Sequence, residues 1–152
     1  MLRIRQYQNS DQNVVWKLHN VALNGVGAHA GNGPWDDDLQ HIQEVYLDNS
    51  GEFLVGEYAD QIVAMGALKK TSDTVGEIKR MRVHPFFQHR GFGTLILQAL
   101  EKRAKELGYV MLHVDTPIQL IAAQKLYMQQ GFKETRRGIL GSMETIFMKK
   151  AL

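Results

Sequence analysis

Apolar and polar residues alternate from the first positions of the chain. Leu2, Ile4 and Gln6 interleave with Arg3, Arg5 and Tyr7, a period of two that predicts a strand. Asn9, Ser10 and Asp11 then offer a helix N-cap, and Val14, Val15, Leu18, Val21 and Ala22 follow as an apolar stripe at helical spacing. Residues 25–33 form a glycine-rich break. Pro34 with Asp36, Asp37 and Asp38 opens a second predicted helix, whose inner face is Leu39, Ile42, Val45 and Tyr46. After a turn at residues 49–51, the stretches 53–58 and 62–68 read as strands joined near residues 59–61. A turn at 71–74 leads to a strand at 77–83, which Pro85 ends by fixing φ and removing a donor.

From residue 93 to 107 the period returns to helical, with Ile96, Leu100, Ala104 and Leu107 on one face. Gly108 suits the left-handed position just past that helix. Residues 110–114 are nearly all apolar, as expected of a central strand covered on both faces. A helix is predicted over 118–130, stopped by Gly131, and strands at 133–139 and 145–149 close around a turn at 138–141. The order β-α-α-β-β-β-α-β-α-β-β predicts an α/β fold, a mixed sheet with helices on both faces.

Composition narrows this only a little. The 152 residues suit a single domain spanning residues 1–152, and 44% hydrophobic with 22% charged residues is ordinary for a globular chain. With no cysteine, disulfides, thiolate metal sites and a cysteine nucleophile are excluded. His19, His29 and His41 have no spacing that argues for a metal. Neither a signal peptide nor a membrane span of roughly 18 apolar residues is evident, so the expected location is the cytoplasm, away from membranes. The net charge of +2 is too small to argue for nucleic acid by itself. It is unevenly spread, however: Lys79, Arg80, Arg82, His84, His89 and Arg90 crowd together.

That basic cluster runs from a predicted strand through a loop into a helix N-terminus. Gly91 and Gly93 lack Cβ atoms, so backbone N–H groups there can close on a ligand. The first N–H groups of the next helix are unpaired and its dipole adds about half a positive charge, a combination that binds phosphate or pyrophosphate. A glycine-rich strand-to-helix passage of this kind also occurs as a plain tight turn. No lysine sits where a Walker loop needs one, and Ile96 occupies the third glycine position of a dinucleotide fingerprint. What fits is Gln/Arg-x-x-Gly-x-Gly/Ala, met by Gln88, Gly91 and Gly93.

With Val83-His84-Pro85 before this loop, and Ala123-Gln124-Lys125-Leu126-Tyr127-Met128-Gln129-Gln130-Gly131-Phe132 after it resembling Ala-x-x-Leu-Tyr-x-x-x-Gly-Phe, the chain resembles the GNAT superfamily of N-acetyltransferases. The resemblance follows the whole chain in element order, and its specific motifs lie between Glu77 and Phe132. It implies an acetyl-CoA-dependent N-acetyltransferase acting on a primary amine by direct attack in a ternary complex, with no metal. A non-catalytic acyl-CoA-binding module on the same fold is the alternative. The cosubstrate would lie between two parallel strands that splay apart, 77–83 and 110–114 here. Its pantetheine arm would pair with main-chain groups of Met81, Arg82 and Val83 as an added strand does. Gln88, His89, Arg90, Gly91, Phe92, Gly93 and Thr94 would hold the pyrophosphate. The side chains of Met81 and Val83 also read as plain core.

Tyr127 matches the family tyrosine near the cofactor sulfur. A thiol has a pKa of about 8.5 and a phenol about 10, so the proton can pass to a leaving thiolate with little penalty. An aromatic core residue is the other reading. Glu77, six residues before Val83, resembles the general base of the histone-acetylating branch. A surface glutamate at a strand mouth is its plain reading, and His84 and a water chain are the other bases open. Where many members carry an asparagine seven residues before the tyrosine, this chain has Leu120, with Gln119 and Gln124 nearby.

In the family the first two helices and their loop shape the acceptor pocket, here residues 24–38 with His29, Asn32, Trp35 and three aspartates. Such a wall suits a cationic amine, small molecule or peptide, through charge and cation–π contact. The aspartates equally suit a helix start, where they complement its dipole. Nucleic acid is not an expected partner, since no aromatic platform or binding motif accompanies the basic cluster. A homodimer is compatible with the sequence.

Overall fold

The computed structural model describes residues 1–25 and 31–152. Seven strands and three α-helices account for most of them: β1 (Arg3–Gln6), α1 (Gln12–Gly25), β2 (Glu52–Tyr58), β3 (Gln61–Lys70), β4 (Val75–Val83), α2 (Phe92–Glu106), β5 (Met111–Pro117), α3 (Ile121–Gln129), β6 (Lys133–Leu140) and β7 (Met143–Ala151). The strands form one mixed sheet in the order β1-β2-β3-β4-β5-β7-β6. All neighbours are antiparallel except β4 and β5.

The second predicted helix is not a regular one. Residues Pro34–Gln40 form a 3₁₀ segment and Gln43–Leu47 a π-helical turn, separated by His41 at φ −139°, ψ 43°. Of the expected inner face, Leu39, Ile42 and Tyr46 are buried and Val45 is half-buried against the same cluster. What interrupts the helix is tertiary bonding: Asp36 and Asp38 turn inward to basic partners. In α1 the buried stripe is Val15, Leu18, His19 and Ala22, while Val14 and Val21 are exposed. The strand expected at 110–114 starts one residue later and runs to Pro117, and Val110 is exposed. It is not covered on both faces throughout. Leu112, Val114 and Thr116 are buried while the residues between them are half-buried.

Two apolar clusters sandwich the sheet. The larger joins Ile96, Leu97, Leu100 and Ala104 of α2 with Ile78, Leu112, Val114, Tyr127 and Met148. The smaller joins Val15 and Leu18 of α1 with Leu39, Ile42, Tyr46, Phe53 and Val55. β3 serves both, because a strand's side chains alternate between faces: Ala64 and Leu68 face one cluster, Met65 and Ala67 the other.

Two departures from regular pairing in β4 position the site. Opposite Gly66 of β3, β4 spends two residues, Arg80 and Met81, between the pairs Lys79↔Ala67 and Arg82↔Met65. Arg80 takes φ +58°, a left-handed conformation that costs a non-glycine residue about 1–2 kcal/mol. The bulge reverses the alternation, so Ile78 and Met81, three apart, both pack with the larger cluster. Bonds from Arg80 to Asp38, Nε to Oδ2 at 2.9 Å and an Nη to Oδ1 at 2.5 Å, hold the bulge, and the Trp35 carbonyl accepts a third at 2.6 Å. The second departure is a split. β4 and β5 pair only where Val75, Gly76 and Glu77 face Met111, Leu112 and His113. Beyond that point residues 78–83 pair with β3 alone and 114–117 with β7 alone.

Candidate active site

The split leaves a groove whose two ends are cavities of about 590 and 610 Å³. At the first end β4 stops at Val83, and Pro85 begins a short 3₁₀ turn (Pro85–Phe87). The His84 ring nitrogen Nδ1 accepts from the Phe86 N–H at 3.1 Å, so this residue, open as a base in the sequence, caps the turn and lines neither cavity. Gln88 Nε2 reaches the Val83 carbonyl at 3.5 Å and ties the loop to the strand end. Gly91 sits at φ +78° as the N-cap of α2, and the first intrahelical bond runs from Leu95 N–H to Gly91 O. The amides of Phe92, Gly93 and Thr94 therefore have no partner within the helix.

A Cβ added at Gly91 would meet no protein atom within 4 Å, so the space above these amides is open. Open space, unpaired amides and a free strand edge fit a pyrophosphate with an extended arm. His89, Gly91, Phe92, Gly93, Thr94, Gln88, Val83, Met81 and Arg82 all line this cavity. Arg90 does not. Its guanidinium stacks outside, 5.4 Å from the Tyr58 ring centroid and 5.2 Å from that of Phe87.

The two cavities share Leu23, Met81, Arg82, Leu120, Ala123 and Tyr127. Tyr127 is carried by α3 and buried, its ring edge-on to Phe132 with centroids 5.7 Å apart. Burial pushes its phenol well above the ordinary value, with the Arg82 charge pulling the other way. An ordinary phenol would hand over its proton at little penalty. A dry phenol is instead a firm hydrogen-bond donor whose full proton transfer runs uphill. Leu120, in place of the family asparagine, stands at the junction. Gln124 does not substitute for that asparagine in the groove: its Nε2 donates to the Pro117 and Ile118 carbonyls at 3.3 and 2.8 Å.

The far cavity is lined by α1, the 3₁₀ segment, β4, β5 and the β6–β7 turn. Trp35 lines it, as expected of an aromatic wall, and so does Asp36, but Asp37 and Asp38 do not, and the expected acidic wall is reduced to one bonded carboxylate. Asp38 is consumed by Arg80 and by the Tyr46 hydroxyl, which donates to it. Asp36 is bonded by His19 Nε2 at 3.0 Å and Asn32 Nδ2 at 3.1 Å, with an Arg80 nitrogen at 3.6 Å. Asp37 is exposed and His29 lies outside the described residues. The carboxylate of Asp115, on β5, lines the cavity and bonds to no described residue. Glu77 lines neither cavity, for it stands where β4 and β5 are still paired, opposite His113 and Lys69.

His19, Asp115 and Thr116 line the site without having been expected there, and Arg82 was expected through its main chain alone. His19 is 1% exposed, and burial followed by the charges of Arg82 and Arg80 pushes its pKa down to about 4, against the pull of Asp36. It is neutral near pH 7. Arg82 forms no ion pair with any described residue; burial first, and then the Arg80 charge, push its pKa down to about 10. The signal for His19 was present in the sequence. Val15, Leu18 and Ala22 define a helix face that also contains position 19.

The model of the acetyltransferase (GNAT) family matches residues 15–132, and the chain belongs to that family. A mycothiol acetyltransferase of Amycolatopsis mediterranei (strain U-32) is 34% identical over 89 residues, 58% of this chain but 28% of that protein. The chain therefore spans only a fraction of that curated relative. An acetyltransferase structure from Streptococcus agalactiae 2603 superposes with a TM-score of 0.90 at 20% identity, covering 99% of this chain and 98% of the other. The Salmonella typhimurium protein yncA, solved with its cofactor acetyl-CoA, gives 0.80 at 20% identity over 99% and 93%. At that identity both establish the shared fold.

Proposed function

We propose that this chain is an acetyl-CoA-dependent N-acetyltransferase that joins an acetyl group to a primary amine by direct attack in a ternary complex. The observation that carries this reading is the meeting of two cavities at Tyr127, one floored by a phosphate-type loop and one enclosed by α1 and the β6–β7 turn. Two substrates entering from opposite ends would touch there and nowhere else. Bound acetyl-CoA supplies an activated thioester, whose carbon–sulfur bond breaks as the amine nitrogen forms the amide.

The chain's own residues do the rest. Gln88, His89, Gly91, Phe92, Gly93 and Thr94 hold the pyrophosphate on backbone N–H groups at the α2 start. Arg90, stacked outside, adds charge at the rim. Main-chain groups of Met81, Arg82 and Val83 pair with the pantetheine arm along the edge that β5 leaves free. Tyr127 donates a hydrogen bond to the sulfur as negative charge develops on it. Glu77 would take the amine's proton through water, since it lines neither cavity. Of the two carboxylates that line the acceptor cavity, Asp36 is bonded by His19 and Asn32, which leaves Asp115 as the second candidate base. With no cysteine in the chain, a covalent acetyl-enzyme has no thiol to form on.

The test is thiol release from acetyl-CoA across small amines, amino acids, polyamines, aminoglycosides and peptides, read beside thermal shift with CoA. We expect at least one amine to be turned over with intersecting initial-rate lines. Parallel lines or an isolable acetylated protein would overturn direct attack. CoA binding without turnover of any amine would favour a non-catalytic acyl-CoA-binding module.

A further inference from the structure

Three buried side-chain atoms among the described residues have no hydrogen-bond partner: His19 Nδ1, Arg82 Nε and Thr116 Oγ1. Native chains pair more than nine in ten such groups, because an orphan forfeits its hydration without return. That all three residues line one cavity of about 610 Å³ marks the place where a ligand completes them.

Their chemistry describes that ligand. His19 is neutral, and Nε2 faces the Asp36 carboxylate at 3.0 Å, so Nε2 carries the hydrogen and Nδ1 presents a lone pair. It asks for a donor. Arg82 keeps one nitrogen on the Met81 carbonyl at 2.8 Å and leaves Nε–H unmet. Asp36 and Asp38 do not answer it, being held by His19, Asn32, Tyr46 and Arg80, and Asp115, which lines the same cavity, makes no bond to it. A guanidinium with a free N–H edge is matched best by a carboxylate. Thr116 can donate to that same group or accept from the amine.

From this pattern we propose that the acceptor is an amine bearing its own carboxylate, of the α-amino-acid type. The acid group is bound by the Arg82 side chain, and the nitrogen faces His19 Nδ1. This rests on the acetyltransferase reading and narrows it. It also divides Arg82 in two, its main chain serving the cosubstrate and its side chain the acceptor. Arg82 and Tyr127 line the cavity junction together, so an acid group on Arg82 holds the adjacent amine beside the reaction centre.

The experiment compares three forms of the same side chain: the free amino acid, its carboxamide and the decarboxylated amine. Each is measured for kcat/KM with acetyl-CoA and, independently, for binding to the CoA-loaded protein by calorimetry. A hydrogen-bonded charge pair of this kind predicts a preference of about a hundredfold for the acid over both analogues. Arg82→Met should abolish that preference, Arg82→Lys should restore part of it, and neither should change acetyl-CoA affinity severalfold. Arg82→Met should also hold or raise Tm, because it removes a buried cation that has no ion-pair partner among the described residues.

Equal use of carboxamide and acid would overturn the proposal in favour of a peptide N-terminus. Loss of acetyl-CoA affinity in Arg82→Met with the acid preference intact would overturn it too, assigning Nε to the cosubstrate. A lower Tm with unchanged preference would make Arg82 structural. Acid-selective binding without turnover would sink the enzymatic reading and leave only the carboxylate site on Arg82 standing.

Discussion

Replacing Arg80 separates two energies that the β4 bulge combines. Its side chain is 11% exposed and that of Asp38 13%, so the pair is effectively buried. Removing one partner of a buried pair typically costs about 3–5 kcal/mol, because the other charge stays behind unpaired. Arg80→Ala should lose that amount and keep the backbone strain, since alanine dislikes φ +58° as arginine does. Arg80→Gly loses the same ion pair but relieves about 1–2 kcal/mol of left-handed strain. Glycine normally weakens a strand by about 0.5–1 kcal/mol. At this one position it should nevertheless equal or exceed alanine, by up to about 1.5 kcal/mol. Urea unfolding followed by circular dichroism measures both, with m unchanged if the fold is kept. At about 2–4 °C per kcal/mol for a chain of this size, the alanine variant should melt about 6–20 °C lower. A glycine variant clearly less stable than the alanine one would refute the strain argument. A loss below about 1 kcal/mol in both would refute the ion-pair argument.

Gly91→Val should weaken CoA binding while costing only a few degrees of Tm, because its Cβ meets no protein atom and pays mainly for φ +78°; undiminished CoA affinity would remove the loop from the site. Tyr127→Phe should lower kcat about 10²-fold with little change in CoA affinity; an unchanged kcat with a lower Tm would make it a core residue only. Between the two carboxylates, Asp115→Asn and Glu77→Gln are compared over pH, and the one that serves as base should lose kcat/KM and recover part of it as pH rises. His19 has a folded pKa of about 4 against 6.5 unfolded, so the unfolded chain binds its proton first. Its contribution is whole above pH 6.5 and should fall by up to about 3 kcal/mol as pH drops towards 4. Urea midpoints at pH 7 and 4.5 measure this, and a slope that survives in His19→Gln would assign it elsewhere.

The parts legible in the sequence are those set by local spacing. Gly91 must be glycine-like at φ +78°, and its neighbours announce a helix start whatever surrounds them. Tyr127 and Gly131 lie within one helix and its cap, so their spacing survives in any fold. What the sequence concealed depends on contacts far along the chain. Asp38 bonds Arg80 across 42 positions, which made its carboxylate unreadable as anything but a helix start or a substrate wall. For the same reason the bulge was invisible, since nothing in Lys79-Arg80-Met81 predicts a left-handed arginine. Arg82 matters because it is buried without an ion pair among the described residues, and no pattern of residue types can say that. Glu77 was placed by its spacing to Val83, yet the short β4–β5 pairing holds it on the closed side of the split.

That pairing also makes the sheet two parts sewn together at one end. Every strand on the β1–β4 side precedes α2 in the chain, and every strand on the β5–β7–β6 side follows it. Each part can assemble from neighbouring segments, with α2 packing across both and only three residue pairs joining strand to strand. The seam is then the last and softest joint of the molecule, and amides near Met81 and Val114 should exchange with solvent ahead of those in β3. A chain-like ligand lying in the seam would supply the missing stitches. Saturation should therefore slow exchange at this line more than anywhere else, and cutting the chain between the two parts should leave fragments that reassemble best in its presence.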